Sequence, residues 1–204
     1  MSTPWMIEVA GIHLPKQLSG HPALELCNSR AGWREPPVWA GEYLRSYDAL
    51  ALFAATSGVI SEATCRSLRK TATADPQGAE AALERARMLR ADLYAALTGD
   101  AGPEARSRLS DAIGHARSRQ HLILGSDTAH WEFDGPETLD DPLDAFLLEA
   151  GSLLTGDTWE LVTACPGDGC GWLFLNTSRR RKWCQMAVCG NRAKQAAFAA
   201  RSRG

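Results

Sequence analysis

Four cysteines near the end of this 204-residue chain are its densest concentration of reactive side chains. Cys165 and Cys170 enclose four residues, Cys184 and Cys189 enclose four more, and thirteen residues separate the pairs. Thiolates in two such pairs can surround one tetrahedral zinc ion, each pair taking one side of the metal. Pro166-Gly167-Asp168-Gly169 can turn tightly within the first pair, because Gly and Asp reach turn dihedrals at little cost. No histidine follows His130. The ligand set is therefore all-cysteine and closed, which predicts structural Zn2+ and not a catalytic metal with an open position. Two disulfides are the alternative, and they require an oxidising compartment. The first residues carry no secretory-signal pattern, so a reducing cytoplasmic setting is expected. Cys27 and Cys65 read as small buried apolar residues.

A second set of side chains can handle nucleic acid. Arg179, Arg180, Arg181 and Lys182 form a basic run suited to neutralising phosphates. Asn191 and Arg192 follow the last cysteine, at the expected first turn of a final helix. Both types pair with purine edges, Asn with adenine and Arg with guanine. Their alternative role is to brace the metal loop. Lys194, Arg201 and Arg203 extend the basic surface. Residues 165–204 carry a balance of +7, whereas residues 1–164 carry −9. A basic end on an acidic body suggests nucleic-acid binding, or docking of that end on the body. DNA is the expected partner.

These side chains need positioning. Leu44, Tyr47, Leu50 and Ala54 predict a helix over 42–57, and Ser61-Glu62 starts another to about Lys70. Asp75-Pro76 opens a helix to about Leu97, Pro103 a further one, and Asp141-Pro142 another ending at Gly156. Residues 23–28 fit a strand or a first helical turn, and 29–37 a loop. Leu122-Ile123-Leu124 reads as a strand or the end of the preceding helix, and His130–Phe133 and Trp172–Leu175 as short strands. Trp159–Ala164 is a strand or an extended link into Cys165. The expected fold is mainly α (α+β): a helical body with a few short strands over 1–156, then a small finger over 157–204. No apolar run reaches the roughly 20 residues a membrane helix needs.

The run Asn176-Thr177-Ser178-Arg179, followed by Arg181-Lys182-Trp183-Cys184-Gln185-Met186-Ala187-Val188-Cys189-Gly190-Asn191-Arg192, resembles the CGNR zinc finger. Its order of knuckle, strand, basic turn, second pair and helix is treble-clef-like. The resemblance implies an N-terminal helical domain of the ABATE type, and a role among stress-related bacterial transcription regulators. Leu24-Glu25-Leu26-Cys27-Asn28-Ser29 resembles that domain's Leu-x-hydrophobic-x-Asn-Thr stretch, with Ser for Thr. Met88–Tyr94 is similar to its Leu-Arg-Glu-Ala-Leu helix, with Ala91-Asp92 where Glu-Ala is usual.

Asn28, Arg30 and Arg90 are candidates for lining a small-molecule pocket in the body. Their competing roles are a local turn for Asn28 and a surface or paired position for the arginines. No phosphate-binding loop, zinc-protease helix or nucleophile–base pattern is present. Three functions stay open: a DNA-binding regulator, a protein- or RNA-binding finger, and a helical domain with enzymatic or ligand-binding chemistry. A homodimer is compatible with each.

Overall fold

The computed structural model describes residues 5–33 and 41–202. Expectations for the end of the 29–37 loop and for Arg203 lie outside the described residues. Among the described residues the chain forms seven α-helices and three separate two-stranded antiparallel ribbons. The mainly α expectation holds, with a C-terminal four-cysteine cluster that fits a zinc finger.

The first ribbon pairs β1 (Met6–Val9) with β2 (Ile12–Pro15). Next comes α1 (Pro22–Asn28), opened by His21, whose ring nitrogen accepts from the Ala23 N–H at 3.3 Å. Residues 23–28 are thus helical and not a strand. Pro22 suits the first turn, because its missing N–H would have had no helical partner there.

Helix α2 (Tyr47–Thr56) starts five residues later than the periodicity suggested. Ser46 caps it by accepting from the Ala49 N–H. Glu42 and Leu44 are drawn elsewhere, to Arg90 and Arg87 respectively. Helix α3 (Glu62–Ala74) is capped by Ser61 and runs past Lys70. Asp75 caps α4 (Pro76–Thr98) through the Gly78 N–H at 2.9 Å. Helix α5 (Pro103–Ser118) leads into β3 (Gln120–Leu124), which pairs with β4 (Ala129–Phe133).

Helix α6 (Asp141–Thr155) is the central element, packing on α1, α2 and α5. It buries Leu143, Phe146, Leu147, Ala150 and Leu153 at helical spacing. Arg119 ties the end of α5 to it, pairing with Asp141 at 2.7 Å and with Asp144. No helix among the described residues is long and apolar enough to cross a membrane.

The finger begins as a wall of this core. A short 3-10 turn (Trp159–Leu161) leads to β5 (Val162–Ala164), which pairs with β6 (Leu173–Leu175). Strand alternation splits the ribbon between two cores. Val162, Ala164, Leu173 and Leu175 pack on the helical core. Phe174 faces the other way and joins Trp172 and three of the cysteines in a second, smaller cluster. A wide helical turn (Met186–Gly190) then opens α7 (Asn191–Arg201).

Candidate metal centre and nucleic-acid interface

The four cysteines reach one point from two elements. Cys165 and Cys170 flank the loop at the tip of the β5–β6 ribbon. Cys184 and Cys189 come from the turn that starts α7. One Sγ from each lies within 4.8 Å of all the others. Cys184 Sγ stands 3.6 Å from Cys170 Sγ and 3.7 Å from Cys189 Sγ. Sulfurs at about 2.3 Å from a tetrahedral zinc would be about 3.8 Å apart, so the donor set fits the ion. A disulfide would need sulfurs about 2 Å apart; all four thiols are free.

The surroundings are shaped for this cluster. A Cβ on Gly167 would meet Cys189 Sγ at 3.0 Å and Cys165 Sγ at 3.4 Å, so only glycine leaves the sulfurs room. A Cβ on Gly190 would meet Met186 Sδ at 2.3 Å and Trp183 Cδ1 at 3.1 Å. The Cys184 N–H donates to Cys165 Sγ at 3.4 Å.

Thiol chemistry points the same way. Hydrogen bonds from the Cys170 and Cys184 thiols hold Cys165 far below the usual thiol range. That neighbour in turn pushes Cys170 up to about 12 and Cys184 higher still, while burial raises Cys189. Four sulfurs this close repel one another as anions, so they do not all ionise without a neighbouring positive charge. A divalent cation is what would let all four be thiolates together.

The basic run is not uniform. Asn176 staples the turn, donating from Nδ2 to the Arg181 carbonyl and accepting the Arg181 N–H, both at 3.0 Å. Arg181 is turned inward. Its guanidinium lies 4.3 Å from the Phe174 ring centroid and donates to the carbonyls of Leu18 at 2.8 Å and of Trp183 and Cys184. Arg179, Arg180 and Lys182 are exposed, Arg179 at a positive φ of 55°. Asn191 is exposed and donates to the Ala187 carbonyl at 3.2 Å, bracing the turn. Arg192 and Lys194 are exposed on α7, which buries no residue at all. Phe198 on the same helix is 67% exposed. Among the described residues, no ion pair joins a basic group of the finger to an acid of the body.

The three candidates for a pocket in the body each make contacts within the fold. Asn28, fully buried, donates to the Leu173 carbonyl at 2.9 Å and accepts the Leu173 N–H at 2.8 Å. Arg90, also buried, pairs with both carboxylate oxygens of Glu42 and donates to Ser29 Oγ at 2.9 Å. Arg30 lies 4.4 Å from the Trp33 ring centroid, and Trp33 stacks on Tyr94 at 3.9 Å. The Arg30 carbonyl accepts the Trp172 indole N–H at 2.8 Å, and Tyr94 donates to the Gly171 carbonyl at 2.8 Å. Asn28 and Arg30 therefore lie at the seam between body and finger, whereas Arg90 ties α4 to Ser29 and Glu42 within the body. Sequence reasoning missed Glu42, Trp33 and Tyr94 because their partners are distant in the chain. An arginine within an apolar helix face was the one available signal, since a buried guanidinium demands a carboxylate.

The model of the CGNR zinc finger matches residues 162–202. The ABATE model, described as "Putative stress-induced transcription regulator", matches residues 20–164. No curated protein matches the chain.

Proposed function

Because the chain belongs to the ABATE family and carries a CGNR zinc finger, we propose that it is a DNA-binding transcription regulator with a structural zinc ion. In this reading Cys165, Cys170, Cys184 and Cys189 hold Zn2+, which cross-links the ribbon tip to the start of α7. The finger, over about 157–204, presents DNA contacts, and the acidic helical body senses a signal or mediates assembly.

One observation carries the reading: four converging sulfurs sit at the base of an exposed basic helix whose Arg192 has no acceptor or ion-pair partner among the described residues. The metal fixes that turn, so Arg192 and Lys194 project from a rigid base. Arg179, Arg180 and Lys182 add phosphate contacts beside them. Arg181 is the exception, because its guanidinium is already committed to carbonyls of the finger and of Leu18.

The test is metal analysis of the purified protein and its binding to genomic DNA fragments across a salt series. One zinc per chain and an affinity that falls steeply with salt are expected. Arg192→Ala should weaken binding. A metal-loaded protein with no affinity for DNA at low salt would overturn the reading.

A second reading is favoured by Phe198 and Met186, both apolar and exposed on the finger, at 67% and 47%. They suit a protein partner docked on α7. A salt-insensitive interaction would support it.

A further inference from the structure

A cavity of about 360 Å³ opens between finger and body, bordered on one side by three of the four cysteines. Trp5, Tyr43 and Trp172 supply aromatic walls, with Tyr43 edge-on to Trp172 at 6.5 Å between centroids. Neither Asn28, Arg30 nor Arg90 lines it.

Two polar side chains line this cavity without a hydrogen-bond or ion-pair partner among the described residues. The buried amide oxygen of Gln185 accepts no hydrogen bond among the described residues. Native interiors hold few such atoms, because each forfeits its hydration without a replacement. Arg192 has no acceptor or ion-pair partner among the described residues, and its guanidinium stands 6.0 Å from the Trp5 ring centroid. Asp168 also lines the cavity and, like Arg192, is exposed, so water screens both charges.

The lining selects a chemistry. Aromatic faces take flat π systems or cations. The cation position beside Trp5 is already held by Arg192, so a flat neutral ring suits the walls. Arg192 itself suits a carboxylate, which it can bind through two N–H groups. Gln185 Oε1 requires a donor. The volume lies within the usual range for small-ligand sites and is ample for two fused rings.

We propose that the finger–body junction binds a small planar aromatic acid that carries an N–H donor. Its ring packs among Trp5, Tyr43 and Trp172, its carboxylate pairs with Arg192, and its N–H satisfies Gln185. Resting on the DNA-binding reading above, the proposal adds a consequence. A bound acid occupies Arg192 and so weakens the grip on DNA.

The test is calorimetric titration of the zinc-loaded full chain with three probes: indole-3-carboxylate, indole without the acid, and naphthalene-1-carboxylate without the N–H. Saturable binding of the first is expected, with the other two at least about tenfold weaker, or about 1.4 kcal/mol. Arg192→Gln and Gln185→Leu, checked for wild-type zinc content and melting temperature, should weaken the first probe by a similar factor. No saturable heat from indole-3-carboxylate, or equal binding of all three probes by the wild type, would overturn the proposal. In a second arm, saturating indole-3-carboxylate should lower affinity for labelled DNA; unchanged affinity would overturn the link through Arg192. Probe binding by a protein with no DNA affinity would support the pocket while removing the regulator reading.

Discussion

Asn28 serves as a backbone surrogate: its amide pairs with both the carbonyl and the N–H of Leu173, as a neighbouring strand would. Asn28→Ala leaves both groups buried and unpaired. A loss of about 2–4 kcal/mol in denaturant unfolding is expected; a loss below the error of that measurement would show water replacing the amide. The basic run separates by role in the same way. Arg180→Ala should leave the melting temperature unchanged and reduce the salt slope of DNA binding by about 1. Arg181→Ala should lower the melting temperature, because it strips donors from the Leu18 and Cys184 carbonyls and uncovers Phe174. Equal melting temperatures for the two variants would contradict this division. Glu25 offers a pH test. Burial raises its pKa above the ordinary 4.5, outweighing the Ser19 hydrogen bonds and the Arg181 charge that lower it. An acid raised in the fold stabilises it fully below the unfolded pKa, and that contribution is lost as pH rises through the folded one. Glu25→Gln keeps the acceptor that Ser19 uses and removes the buried charge. The variant should gain stability over the wild type as pH rises from about 4 to 7; parallel stability profiles would count against a buried charge there.

At the scale of elements, the β5–β6 ribbon explains why the finger is seated on the body. One face of it completes the helical core and the other covers the cysteine cluster. Leu173→Asp would push a charge into the helical core and should unfold body and finger together, read by loss of both helical signal and bound zinc. Retention of the helical signal would mean that the ribbon is dispensable to the body. Helix α7 is the opposite case, as no residue on it is buried. Its largest apolar residue, Phe198, stays in solvent. Helix existence was legible from capping pairs such as Ser61-Glu62 and Asp75-Pro76, which act within one turn. The start of α2 was misplaced because Glu42 answers to Arg90, a residue 48 positions away.

Across the whole molecule, the finger is set apart in sequence but joined to the body through Asn28, Arg30, Trp33 and Tyr94. If the four cysteines hold a metal as proposed, its removal by a chelator should lower the midpoint of a single unfolding transition, since metal that binds only the folded state adds to its stability. Two separate transitions, with the larger one unmoved, would show the parts to be independent. The cysteine cluster, the helical class of the body and the charge split between the ends were all legible before any fold was known. Those depend on residue type and on spacing along a short stretch, which local geometry translates directly. Long-range packing sets which basic residues face outward and brings Asn28 to Leu173 and Arg90 to Glu42. It also placed an aromatic cavity at the junction of the two parts. Each of these depends on a partner far away in the chain, such as the 145 positions between Asn28 and Leu173. No local period or motif encodes such a meeting; it exists once the cores have packed.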